Sequence, residues 1–336
     1  MEDAVRVNVA EVEAELARIQ LELTSSEVRA SLFNIVVMSR DVKRAKADDA
    51  LNYLLGKRAA RVIHVVNQET PESSLEVSAR CFVDEQRKGV CFQEIVITNG
   101  EDEAGGALGS WTPLLVRDIP TYVLWLDTVH NRRELFRHAQ TQCDKLIVDS
   151  DQCVSLGDDP VELLETLSNV TVEMSVPVAD FAWKRLRPFR QLAADAFAGE
   201  ERLPLLREIE GVTVTGLSRP SARLFGLWLA ERLGWEVASL ETEADRYSLP
   251  SGQSVAVAHT AGEPECDLAI TFALTGNRTI DLIAREDGCA DIEYEDGVEE
   301  RELVSIPASG EILLEEVDAV YADDLFRAAL ELVDKR

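Results

Sequence analysis

The residues Gly109-Ser110-Trp111-Thr112-Pro113-Leu114-Leu115-Val116-Arg117-Asp118-Ile119-Pro120-Thr121-Tyr122-Val123-Leu124-Trp125-Leu126-Asp127 constrain the fold more than any other stretch. A proline at the first helical position loses no helical hydrogen bond, so Thr112 is expected to cap a short helix that Pro113 opens. Ile119 precedes Pro120, which pushes it out of the α region and ends that helix within about two turns. From Tyr122 to Leu126 every residue is apolar, the pattern of a strand covered on both faces. A helical turn, a rigid corner and a central strand therefore follow one another in a single short span.

Around this span the chain alternates strands and helices. Asn8 to Leu23 reads as an amphipathic helix, with Asn8 as N-cap, Glu11 in the capping-box position, and Val9, Val12, Leu16, Ile19 and Leu23 on one stripe. That stripe packs on its own domain or serves as a docking element. Strands are expected at 32–38, 61–66 and 145–149, and helices at 41–55, 133–143 and near 161–167. Strands at 75–83 and 90–98, joined by a polar turn, read as an antiparallel hairpin inserted into this pattern. The acidic, glycine-rich residues 101–109 read as a flexible lead-in.

After a boundary near 172/173 comes a helix that Pro188 opens, and a second over 222–233 that Gly234 stops. Short strands follow at 254–258, 267–274, 279–284, 290–294 and 302–306, with Asp296-Gly297 as a hairpin turn and a closing helix at 322–333. The expected fold class is α/β in two domains. Residues 1–172 form a mostly parallel sheet with flanking helices and the hairpin insertion, and residues 173–336 a smaller α+β domain with an antiparallel sheet.

Composition narrows the function. Asp and Glu number 62 against 34 Lys and Arg, a formal charge of −28, which repels phosphate backbones and anionic lipid. No nucleic-acid or membrane partner is expected. No run of apolar residues approaches a membrane span, and the start Met1-Glu2-Asp3 is not a signal peptide, so a cytoplasmic location is expected. None of the six cysteines forms a C-x-x-C pair. Cys81 and Cys91 flank the hairpin turn, as core residues or as a candidate redox pair facing each other.

Chemistry is sparse. Asp127 and Asp149 close two strands at their carboxyl ends, where open α/β sheets place ligand crevices. Asp149-Ser150-Asp151 imitates the nucleophile and acid of haloacid-dehalogenase-like phosphatases, but the later lysine and paired acids are not at the required distance. Gly105 to Ser110 lacks both the dinucleotide spacing and the P-loop lysine. His64 reads as a satisfied core residue, and no histidines have metal-ligand spacing, so neither metal nor cofactor is expected. Lys184, Arg185, Arg187 and Arg190 form the densest basic cluster, either an anion or acidic-partner site beside the Pro188 helix or a set of internal ion pairs.

Taken together, Ser110-Trp111-Thr112-Pro113-Leu114-Leu115, Asp118-Ile119-Pro120 and Val123-Leu124-Trp125 resemble the signature of the glucose-6-phosphate dehydrogenase assembly protein (OpcA) family. Asn34-Ile35-Val36-Val37, Asp144 to Ser150, Asp180 with Trp183, Arg185-Leu186 and Phe189-Arg190, and Leu229 to Trp235 agree in order. The sequence departs at Phe189, where an indole is common, and at Arg187-Pro188. The resemblance implies a non-catalytic protein that binds glucose-6-phosphate dehydrogenase and promotes its active oligomer in the oxidative pentose phosphate pathway. It also implies redox sensitivity in some members, which bears on Cys81 and Cys91. The candidate contact or crevice residues are thus Trp111, Pro113, Asp118, Pro120, Trp125, Asp127, Asp149, Ser150, Asp180, Trp183, Arg185, Arg187 and Arg190. The alternative is a sugar-phosphate-binding or hydrolysing α/β enzyme using Asp127, Asp149 and Asp151.

Overall fold

The computed structural model describes residues 4–24, 31–68, 73–83, 89–100, 107–260, 268–285, 287–295, 297, 299–319 and 321–334. The expected hairpin turn at 84–88, the lead-in at 101–106 and Asp296 lie outside these residues. The chain divides into two compact units, residues 1–157, 175–179 and 308–322, and residues 158–174, 180–307 and 323–336. Where the sequence suggests one boundary at 172/173, the chain passes between the units more than once.

The first unit is built on an eight-stranded sheet. Its strands are β1 (Val5–Arg6), β2 (Phe33–Arg40), β3 (Ala60–Asn67), β4 (Ser74–Val83), β5 (Gly89–Asn99), β6 (Thr121–Leu126), β7 (Lys145–Val148) and β8 (Val178–Asp180), in the order β1-β4-β5-β3-β2-β6-β7-β8. From β5 to β7 all pairings are parallel, while β4 pairs antiparallel with β5 as the inserted hairpin. β2, β3, β6 and β7 are buried along nearly their whole length, as continuous apolar runs demand when helices cover both faces.

Helices α1 (Val12–Thr24), α2 (Arg44–Leu54), α3 (Ala107–Ser110), α4 (Arg133–Gln142) and α5 (Ser150–Ser155) complete the early part of this unit. The backbone N–H of Asn8 donates to Glu11, so the capping box forms. Val12, Leu16 and Ile19 are buried on α1, which packs on β4, whereas Val9 is exposed. The stripe is thus already covered within its own unit, which leaves little of it for docking. A late helix, α10 (Ser309–Asp318), returns to lie on α2.

The second unit holds α6 (Pro160–Glu173), α7 (Phe181–Arg185), α8 (Arg187–Ala196), α9 (Arg219–Leu233) and α11 (Asp324–Asp334). Its strands are β9 (Ile209–Thr215), β10 (Glu236–Ser239), β11 (Ala244–Ser248), β12 (Ser254–Thr260), β13 (Ala269–Leu274), β14 (Arg278–Ala284), β15 (Cys289–Tyr294) and β16 (Glu299–Leu303). They lie in the order β10-β11-β12-β9-β13-β14-β15-β16, antiparallel except for the parallel pair β9·β12. Burial alternates along β12, β13 and β15, so one face packs on α8 and α9 and the other is wetter. Gly234 ends α9 in the left-handed conformation expected of it, at φ 67°. The central strand β9 is not among the strands expected from the sequence, and β16 starts three residues earlier than expected. Pro188 opens α8 as anticipated, but a separate five-residue helix, α7, precedes it.

Candidate functional site

Two polar regions of the first unit hold most of the candidate residues, at opposite ends of the parallel strands. At the amino ends, Trp111 to Pro120 runs as a loop containing a single 3-10 turn, Thr112–Leu114. The cap is Trp111 rather than Thr112, whose hydroxyl instead lies 3.2 Å from His138 Nε2. Two buried side chains pin the loop. Asn34 Nδ2 donates to the carbonyl of Val116 (2.9 Å) and to Thr121 (3.1 Å), and its Oδ1 accepts from Val116 N–H (2.9 Å). Arg61 donates to the carbonyl of Leu114 (3.1 Å) and to Gln93, and pairs with Glu13 of α1.

This pinning sorts the loop residues. Trp111 is fully buried, with its ring edge-on to His138, and Trp125 is fully buried with Nε1–H donating to the carbonyl of Asp127 (2.8 Å). Pro113, Arg117, Asp118 and Pro120 are exposed. Thr112, Pro113, Val116, Arg117, Asp118 and Thr121 line an open groove. Asp118 has φ 65°, a left-handed conformation that costs a residue with a Cβ about 1–2 kcal/mol and is held here by the ties on either side of it.

At the carboxyl ends the strand order reverses between β2 and β6, the point at which open α/β sheets bind ligands. The protein's own side chains bridge this crevice. Asp127, with no exposed surface, accepts from Arg40 Nε (3.0 Å), Asn67 Nδ2 (3.0 Å) and the N–H of Thr128 (2.7 Å). Asp149, equally buried, caps α5 through Gln152 N–H and accepts from Lys46 Nζ (3.0 Å). Ser150 is buried on α5, and Asp151 is half-buried in its first turn. Asn99 Nδ2, Thr128 Oγ1 and Gln152 Oε1 are buried near the strand ends without a hydrogen-bond partner. The βα turn after β2 reads Ser39-Arg40-Asp41-Val42-Lys43, with none of the glycines that let a pyrophosphate approach the backbone. Arg40, Lys46, Asn67 and Arg61 are polar residues that the sequence did not single out, and Asn34 stood out only within a segment of the family resemblance. The signal available for Arg40 was a charge closing an apolar strand at its carboxyl end.

In the second unit, Asp180 caps α7 through the N–H of Ala182 (2.9 Å). Trp183 is buried and donates to Asp323 (3.1 Å), while Arg190 stacks 3.8 Å from the centre of its ring and donates to its carbonyl (2.8 Å). Burial pushes the Arg190 pKa down to about 10. Lys184 lies 3.6 Å from Asp323. Arg185 is half-buried and Arg187 exposed. Much of the basic cluster therefore serves internal structure, and Arg187 is its solvent-facing member.

His64 departs from its expected satisfied state. It is buried in β3 with Nε2 2.7 Å from Ser39 Oγ, but Nδ1 has no hydrogen-bond partner. Burial pushes its pKa down to about 3, so the ring is neutral. Cys81 and Cys91 are directly opposed in the β4–β5 register. Among other thiols, burial pushes Cys143 up to about 12, which makes it a poor nucleophile.

Fold and site together define a two-unit α/β protein whose strand-end crevice is bridged by its own ion pairs. Two family domains match the chain, described as the N-terminal and C-terminal domains of a glucose-6-phosphate dehydrogenase subunit, the first over residues 52–169 and the second over residues 176–330. The chain therefore belongs to that family, the OpcA family. A protein of Nostoc punctiforme provisionally named as the OxPP cycle protein OpcA is 31% identical over 204 residues, covering 57% of this chain and 43% of that protein. A Synechocystis protein of the same name is 26% identical over 226 residues, covering 66% of this chain and 46% of its own length. The matched region thus spans less than half of either relative. Among solved structures, UDP-N-acetylglucosamine 3-dehydrogenase GnnA from Acidithiobacillus ferrooxidans aligns over 90% of this chain and 95% of its own, at 12% identity and a TM-score of 0.46. A dehydrogenase from Chromobacterium violaceum aligns over 91% and 94%, at 12% and 0.48. Likeness at that level carries no functional argument. No described helix is long and apolar enough to cross a membrane.

Proposed function

We propose that this protein is a non-catalytic assembly factor that binds glucose-6-phosphate dehydrogenase and promotes its active oligomer in the oxidative pentose phosphate pathway. The observation that carries the reading is the match of both halves of the chain to domains described as parts of a glucose-6-phosphate dehydrogenase subunit. The crevice is consistent with it: both strand-end carboxylates are buried and engaged, so neither is presented as a nucleophile. The mechanism is differential binding, in which the active assembly is stabilised by the difference between the protein's affinities for it and for the inactive state. The contact surface proposed is the groove edge at Pro113, Asp118 and Pro120, a shape fixed before binding and therefore needing little ordering on association.

Titrating the protein into its cognate dehydrogenase, with activity and light-scattering mass followed in the same samples, tests both parts. A saturable rise in both is expected, and Asp118→Arg, at an exposed position, is expected to weaken it about tenfold or more. Unchanged mass and kinetics would overturn the assembly role. A normal response of the variant would overturn the groove assignment alone.

A further inference from the structure

The first unit contains a polar strip that neither its core nor the proposed partner surface uses. Strand register creates it. Val62 of β3 pairs with Glu94 of β5, and Val66 of β3 pairs with Ser39 of β2, so Glu94, His64 and Ser39 share one face of the sheet. Helix α2 covers that face and brings Asp48 to it. Three donor atoms converge: His64 Nδ1 and one carboxylate oxygen each of Asp48 and Glu94, all within 4.8 Å of one another.

The imidazole is the informative member. His64 has no exposed surface, and its Nε2 is committed to Ser39 at 2.7 Å. Nδ1 has no hydrogen-bond partner and stands 3.6 Å from Asp48 Oδ1. That separation is too long for a hydrogen bond. It is close to the edge, about 3.4 Å, of a tetrahedron whose metal–ligand bonds are about 2.1 Å. The Ser39 bond is of the kind that fixes ring orientation and tautomer in metal-bound histidines.

We propose that Asp48, His64 and Glu94 bind a single divalent transition-metal ion of the Zn²⁺ class through one imidazole nitrogen and two carboxylate oxygens. The donor set is borderline in hardness, which favours Zn²⁺ or Co²⁺ over Ca²⁺, a cation that takes six or more oxygens. Asp48 is 40% exposed and Glu94 only 15%, so the ion enters past Asp48. Arg44 lies 3.7 Å from Asp48 Oδ2 and Arg80 3.4 Å from Glu94 Oε2. Both arginines are more than a third exposed and can yield to an ion while leaving Asp48 Oδ1 facing the ring. Bound there, the ion ties α2 to β3 and β5.

The test uses the full chain, stripped with a chelator and titrated calorimetrically with Zn²⁺, together with thermal unfolding and the visible absorption of the Co²⁺ form. One tight equivalent is expected, with a rise in Tm and a ligand-field spectrum of low-coordinate Co²⁺. Asp48→Asn and Glu94→Gln, each near in shape to the native residue, are each expected to weaken that equivalent tenfold or more. Circular dichroism reports that the fold is kept. The inference is overturned if only weak, multiple binding to the acidic surface is seen, or if a tight equivalent persists unchanged in both variants.

Discussion

At the residue scale, close approaches decide which substitutions matter. Gly226 lies in the buried part of α9, and a Cβ there would stand 2.7 Å from Tyr247 Oη and 3.3 Å from Val257 Cγ1. In an exposed helix, replacing glycine by alanine stabilises by about 1 kcal/mol. Here the sign reverses, because Tyr247 has no exposed surface and cannot move aside, and Gly226→Ala is expected to cost about 1–3 kcal/mol. Tyr247 Oη has no hydrogen-bond partner, so Tyr247→Phe alone should be neutral or stabilising. In the double variant the penalty for Gly226→Ala should shrink, since the nearest obstructing atom is gone; urea unfolding of all four proteins reads that coupling. A purely additive cycle would contradict the clash. Asn34 illustrates the opposite case, a residue valuable for what it holds. Asn34→Ala leaves both polar groups of Val116 without their buried partner and should cost about 2–4 kcal/mol. It should also loosen the Pro113–Pro120 groove, seen as faster amide exchange at Val116; unchanged exchange there would mean the loop is held by other ties.

At the scale of elements, α7 and α11 depend on one carboxylate. Asp323 accepts from Phe326 N–H (3.0 Å), capping α11, and from Trp183 Nε1–H on α7. Burial alone would push its pKa up, but the Phe326 N–H, Lys184 and the Trp183 N–H outweigh it and hold the group below its usual value. A depressed carboxylate binds its proton more weakly in the folded state than in the unfolded one. Its contribution is present above the unfolded value near 3.8 and is lost as pH falls through the folded value. Asp323→Asn should therefore lower Tm at pH 7 and narrow the gap from wild type as the pH falls toward 3; a gap independent of pH would place the effect in shape rather than charge. The sequence made parts of this legible and hid others. The strand at Thr121–Leu126 and the helix opened by Pro188 were readable because their signals are local: an unbroken apolar run, and a proline with a fixed φ. β9 was hidden because Gly211 interrupts its alternation and its neighbours β12 and β13 come about forty residues or more later. The crevice was half legible. Asp127 and Asp149 stood out as acids at strand ends, whereas Arg40, Asn67 and Lys46, which engage them, come from other elements and carry no motif.

At the scale of the molecule, a segment from late in the chain, residues 308–322, returns to the first unit. Lys145, which opens β7, is fully buried, pairs with Glu316 of α10, and donates to the carbonyls of Glu316 (3.1 Å) and Ala319 (2.9 Å). Arg58 pairs with Asp318 (2.7 Å), and Gly310 sits so close to Tyr53 that a Cβ would stand 2.3 Å from the Tyr53 Cβ. These contacts put a buried ion pair at the C-terminal end of α10, where a cation also meets the negative end of the helix dipole. Breaking one member of such a pair leaves an uncompensated buried charge and costs about 3–5 kcal/mol, whereas replacing both by apolar groups of similar volume is often neutral. Lys145→Met should therefore destabilise the protein strongly, and adding Glu316→Leu should recover much of the loss. The same logic predicts that replacing residues 308–322 by a flexible Gly/Ser segment of equal length in the otherwise full chain exposes Lys145 and the Tyr53 face of α2 and lowers Tm strongly. An unchanged Tm in that variant would show that α10 is an appendage of the first unit rather than part of its core.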